Sequence, residues 1–157
     1  MKKEKLIDEI QEAFKNVKLN NGIGIFEADE LDACSSEKKL QKAKEKDKSW
    51  WNDWKYIGDK HIAYYSSVMC FMDEKGIQWA LPAYMIYAIN NYENGSFSVD
   101  TTIYKIERIN SNLNIFTSEQ KYVITKFLKF MLEDAGEDWV DADFAQKALD
   151  NGWVEYQ

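Results

Sequence analysis

Residues 71–92 read FMDEKGIQWALPAYMIYAINNY and hold the single proline of the chain, Pro82, in an aromatic run with little charge. The parsing of this stretch decides the fold. Before and into it, Val68, Met69, Cys70, Phe71 and Met72 form a short apolar run of strand length. Asp73-Glu74-Lys75-Gly76 follows, ending in a glycine able to take the positive φ that a hairpin turn needs. Ile77, Gln78, Trp79 and Ala80 then alternate like a returning strand. Pro82 comes next, and a proline suits the first turn of a helix because its missing N–H is not needed there. Ala83 to Tyr92 carry apolar groups on nearly every face, which predicts a central helix. The expectation is an α+β fold: one helix-rich domain with a small β-hairpin packed against the helix that Pro82 opens.

Outward from this stretch the signals are helical. Leu6, Ile7, Ile10, Phe14 and Val17 recur at helical spacing and predict an amphipathic helix ending near Asn20-Asn21-Gly22. Residues 35–49, SSEKKLQKAKEKDKS, open with capping serines and contain strong helix formers, with only Leu40 and Ala43 apolar. A solvated helix with lysines facing water is expected; its acids dilute any phosphate-binding role. Asp100 or Thr101 can cap a short helix holding Ile103, Ile106 and Ile109, while the alternation of Phe97 and Val99 keeps a strand open there. Thr117-Ser118-Glu119-Gln120 fits a capping box opening a helix through about Leu132. Asp141 or Asp143 caps a last helix, which Gly152 ends before Trp153.

The 157 residues fit one domain, and no internal repeat or flexible linker divides them. No apolar run approaches the roughly 20 residues of a membrane span. Acids interrupt what would be the apolar region of a signal peptide after the first lysines. A cytosolic protein away from membranes is expected. Cys34 and Cys70 are too few for a disulfide framework and read as reduced thiols, Cys70 as a small buried hydrophobe in VMCFM. The net charge is −7, and residues 61–157, with 7 basic and 14 acidic groups, carry all of it. Such a surface repels nucleic acid and attracts a basic protein partner.

Three stretches, FMDEKGIQWALPAYM, FTSEQKYVITKFLKFM and AQKALDNGW, resemble successive elements of an uncharacterised bacterial family, a domain of unknown function with a Leu-Pro-Ala-aromatic signature. That resemblance implies no catalytic set, so no residue role carries over from it. The Leu-Pro before a helix and the acidic character also resemble, more loosely, small bacterial immunity proteins that neutralise toxins.

Glu133, Asp134, Glu137, Asp138, Asp141 and Asp143 form the sharpest charge feature. They lack the Asp-x-Asp-x-Asp-Gly run of a calcium loop, so an exposed interhelical loop is expected, suited to docking a basic partner. Trp50, Trp51 and Trp54 cluster in SWWNDWKY, where adjacent rings cannot share one direction. One is expected in the core and another partly exposed as an interface anchor. There is no phosphate loop, no Gly-x-Ser-x-Gly elbow, no paired His-Cys ligand spacing and, with His61 the only histidine, no triad. No cofactor is expected. The reading is therefore a small acidic protein-binding module, of the kind that inhibits a toxin or enzyme by occlusion. The rivals are an enzyme with an unrecognised carboxylate site and a structural subunit of a larger complex.

Overall fold

A computed structural model describes residues 2–51, 53–109, 114–136 and 138–156. The described residues are all-α, with no strand among them. Eight α-helices run in order: α1 Lys3–Ala13, α2 Ile25–Asp32, α3 Glu37–Trp50, α4 Asp59–Tyr64, α5 Glu74–Asn91, α6 Phe97–Ile109, α7 Ser118–Phe130 and α8 Ala142–Asp150. Short 3-10 turns fill several of the gaps.

The hairpin expected at 68–80 is not formed. Val68–Phe71 is a 3-10 turn, and α5 begins at Glu74, well before the proline. Two features of the chain explain this. Asp73 is an N-cap: its Oδ1 accepts the Gly76 N–H at 2.8 Å, an interaction worth about 1 kcal/mol. Gly76, for its part, is not in a turn. A Cβ on it would lie 2.0 Å from the Ile23 carbonyl oxygen, so glycine is required for close approach of the 22–24 loop to α5. Asp73 Oδ1 also accepts the Ile23 N–H, at 3.0 Å, and ties that loop to the helix start.

Pro82 therefore lies inside α5 instead of at its start. It deprives the Gln78 carbonyl of its i+4 donor, an arrangement that ordinarily disfavours a helix by about 3 kcal/mol. Burial overrides it: Trp79, Ala80, Leu81, Tyr84 and Met85 around it are all fully inaccessible to solvent. Since α5 is buried on almost every side, its sequence lacks a 3.6-residue stripe, and its first turns imitate an apolar strand.

α5 packs against α1, α4 and α6, with α7 laid on α1 and α8 set against α6 and α7. α2 and α3 form a pair that closes on the 68–71 turn. α1 stops at Ala13, earlier than the Asn-Gly signal, because side chains from elsewhere satisfy its last carbonyls. The Trp54 indole N–H donates to the Phe14 carbonyl at 2.9 Å, and Gln120 Nε2 donates to that of Ala13 at 3.1 Å. The capping box at Thr117 and Gln120 is present in both directions, and α7 continues as a π-helical turn through Ala135. α6 begins at Phe97, before Asp100 and Thr101, and α3 is the lysine-rich solvated helix expected.

Nothing in the composition of IFEADELD announced α2. Its N-cap, Gly24, has no side chain to cap with, and Asp47 from α3 supplies the carboxylate instead. Asp47 is 1% exposed, and its two oxygens accept the N–H groups of Phe26 and Glu27 at 2.9 and 3.0 Å. Burial pushes its carboxyl up to about 6, while the backbone donors of Glu27 and Phe26 pull the other way. No helix among the described residues is long and apolar enough to cross a membrane.

Candidate functional site

The acidic segment joins α7 to α8. After the π-helical turn Met131–Ala135, Gly136 takes φ 74° and ψ 175°, a conformation essentially confined to glycine. It redirects the chain into a turn in which the Trp139 and Val140 N–H groups donate back to the Gly136 carbonyl at 3.2 and 3.3 Å. Val140 faces inward and is buried, which leaves Trp139 outward and 51% exposed.

Of the residues singled out in this segment, Glu133, Asp134, Asp138 and Asp143 are exposed. Glu137 lies outside the described residues. Asp141 is half-buried and structural: its Oδ2 accepts the Tyr104 hydroxyl at 2.9 Å, and its own N–H donates to Asp100 Oδ1 at 3.1 Å. These two bonds clamp the segment to α6. Burial, then the bond to Asp141, pushes the Tyr104 phenol up to about 12, so it remains a donor at neutral pH. Asp138 and Asp143 have no cationic partner among the described residues, and α8 begins without a side-chain cap. The exposed carboxylates follow one another along this connection: Glu133 and Asp134 on the π-helical turn, Asp138 beside Trp139 in sequence, and Asp143 in the first turn of α8.

The tryptophans of SWWNDWKY divide as their adjacency requires. Trp51 and Trp54 are core residues, and Trp50 is 53% exposed. Trp50 meets the rings of Phe26, Trp51 and His61 edge-on, and the Lys46 ammonium lies 4.7 Å above it and 3.9 Å from the Phe26 ring. The open face of Trp50 is thus shared with a cation of its own chain. Its neighbours belong to α2, α3 and α4, whereas α6, α7 and α8 hold the acidic segment. The fold does not bring the two groups of predicted residues into one contact set.

Trp139 is not among the residues expected from the sequence at a partner surface. Its signal was a lone aromatic between Asp138 and Val140 in an otherwise charged loop, with no apolar partner in register to draw it inward. Cys70 also differs from expectation: the turn around it buries Val68 and Met69 and leaves the thiol exposed. Cys34 is exposed as well, in a left-handed conformation of φ 52° just beyond α2.

Among the described residues no three His, Cys, Asp or Glu side chains converge to hold a metal ion. The carboxylate with the most displaced titration, Asp47, has both oxygens occupied by backbone donors and acts as a helix cap. A recess of about 850 Å³ is an open groove between the end of α1 and the start of α7. Several of its polar groups are engaged within the protein: Glu9 with Lys126, Glu12 with Lys15, and Gln120 with Ala13.

No curated protein and no solved structure matches the chain. A family model does match it, from residue 2 to residue 157, and the chain accordingly belongs to the family of unknown function DUF6714.

Proposed function

We propose that the protein is a binding module that docks a basic protein surface against the turn between α7 and α8. One observation carries this reading: Trp139 stands half-exposed beside Asp138 on a connection clamped to α6 through Asp141, with exposed Glu133 and Asp134 preceding it and Asp143 following it in the chain. Aromatic anchors of this kind supply much of the affinity of protein interfaces, and a charged rim steers encounter. A turn already held in place loses little conformational freedom on binding. In its specific form the module is a small cytosolic inhibitor of a bacterial toxin or enzyme that acts by occlusion, consistent with its size and acidity.

The test is capture from a native-host lysate, with wild type beside Trp139→Ala and beside the Asp138→Lys/Asp143→Lys pair. The expected result is a partner held by wild type, released by salt and lost from both variants. With that partner purified, charge reversal slows association and flattens its salt dependence. Trp139→Ala instead speeds dissociation by about 30-fold, the equivalent of about 2 kcal/mol. A partner retained equally by both variants refutes the surface; no partner at all refutes the module.

A further inference from the structure

α6 presents Phe97, Thr101, Tyr104, Lys105 and Arg108 along one stripe, at i, i+4, i+7, i+8 and i+11. Ser66, Ser67, Met69 and Cys70, on the segment leading into the 68–71 turn and on the turn itself, face this stripe across a cavity of about 210 Å³. The two walls are stitched together. Thr101 Oγ1 donates to the Ser66 carbonyl at 2.6 Å, and Ser98 Oγ donates to that of Ile62 at 2.7 Å. The first bond joins the two walls directly, and the second ties α6 to α4 beside the cleft.

Its charge is opposite to that of the protein. Lys105 is half-buried and Arg108 exposed, and neither has a carboxylate ion-pair partner among the described residues. Asp100 and Asp141, the acids that act on Tyr104 of the cavity wall, are bonded across the α6–α8 clamp, Glu107 is paired with Lys147, and none of the three lines the cavity. Burial holds the Lys105 ammonium below its ordinary value; Cys70 draws it up and Arg108 pushes it further down. A half-buried lysine next to an arginine, in a chain with an excess of acids available to pair with them, is stabilised by an anion placed between the two. Ser66 and Ser67 add hydroxyls that have no hydrogen-bond partner among the described residues, while Met69 and Phe97 add apolar surface.

We propose that this cleft binds a small organic anion, a phosphate or carboxylate carried on a short apolar body, with Lys105 and Arg108 on the anionic head and Met69 and Phe97 against the body. The volume suits a ligand well below drug size. This site is independent of the docking turn and stands or falls separately from it.

Cys70 provides the assay, because it lines the cleft and Cys34 does not. Alkylation of the native protein by iodoacetamide, a neutral reagent, is followed at each cysteine by mass spectrometry. The probes are phenyl phosphate and benzoate at about 10 mM, far enough above a millimolar dissociation constant to saturate the site. Phenol and sodium chloride, the latter at matched ionic strength, serve as controls. The expected result is that at least one of the two anions slows Cys70 about tenfold and leaves Cys34 unchanged. Which of them protects assigns the head group. Arg108→Gln, on the surface, and Lys105→Met should each abolish the protection without changing the Cys34 rate. Equal slowing by phenol or by chloride overturns the proposal, as does protection that survives Arg108→Gln or the absence of protection by either anion.

Discussion

Replacing Asp47 with asparagine isolates the one buried carboxylate among the described residues. In the folded protein burial raises its carboxyl from 3.8 to about 6. The folded state thus binds this proton more tightly than the unfolded chain, and Asp47 contributes most below about pH 4. Stability is lost as the pH rises from there through about 6, and the loss is complete above that. A shift of about two units corresponds to about 3 kcal/mol between pH 4 and pH 7. Asparagine does not titrate. Its carbonyl accepts one of the two N–H groups, and its amide opposes the other, so at low pH the variant is less stable than wild type by about 1–3 kcal/mol. As the pH rises to 7 the two stabilities should converge or cross. Urea unfolding followed by tryptophan fluorescence, from pH 4 to pH 7.5, measures the difference directly. Glu27 and Asp29, both raised chiefly by burial, titrate in both proteins and largely cancel. If the wild-type advantage instead grows with pH, the bonds from Phe26 and Glu27 hold the carboxylate ionised and the reasoning fails.

Three further substitutions test the backbone. Pro82→Ala restores a donor inside α5 and should stabilise by about 1–2 kcal/mol, the helix propensity gained less the burial of the ring lost; a loss above about 2 kcal/mol in urea unfolding contradicts a proline strained by the helix. Gly76→Ala should prevent folding or destabilise by more than about 3 kcal/mol, since the Cβ would press on backbone at Ile23. Gly136→Ala, with nothing within 4 Å of its Cβ, should lose only the backbone strain of about 1–3 kcal/mol, read from the same unfolding curves.

How far the sequence carried depends on where the information for each element is stored. The start of α7 was legible because its capping box is local: Thr117 and Gln120 satisfy each other's backbone donors within four residues. α3 was legible for the same reason, from Ser36 and its helix formers. α2 was not, because its cap sits about twenty residues away on another helix, at Asp47. α1 was placed but overextended, since its end is set by Trp54 and Gln120 rather than by the Asn-Gly that follows. The largest error, the hairpin, came from reading Gly76 as a turn glycine. Glycine is required there by a neighbouring strand of chain, the 22–24 loop, and sequence does not distinguish a residue that must bend from one that must leave room.

The surface follows the same logic. That the chain turns near Asp138, between α7 and α8, could be read locally; that Glu133 and Asp134 sit on a π-helical turn, Asp143 sits inside α8, and which of these acids face solvent could not. Asp141 is withdrawn from any rim by Tyr104 on α6, and Trp139 is put there by the φ of Gly136 together with the burial of Val140. Lys105 and Arg108 read as two unremarkable basic residues in a helix of mixed charge. They acquire meaning only when the 66–70 segment lines a cleft beside them and no acid among the described residues pairs with them. In a chain with seven more acids than bases, the pairing of every half-buried cation is the easy outcome, so the lack of an ion pair at Lys105 among the described residues is informative. An acidic exterior that repels anions in general also makes a recessed cationic pocket selective, since an anion gains there only if its body fits the space between Met69 and Phe97.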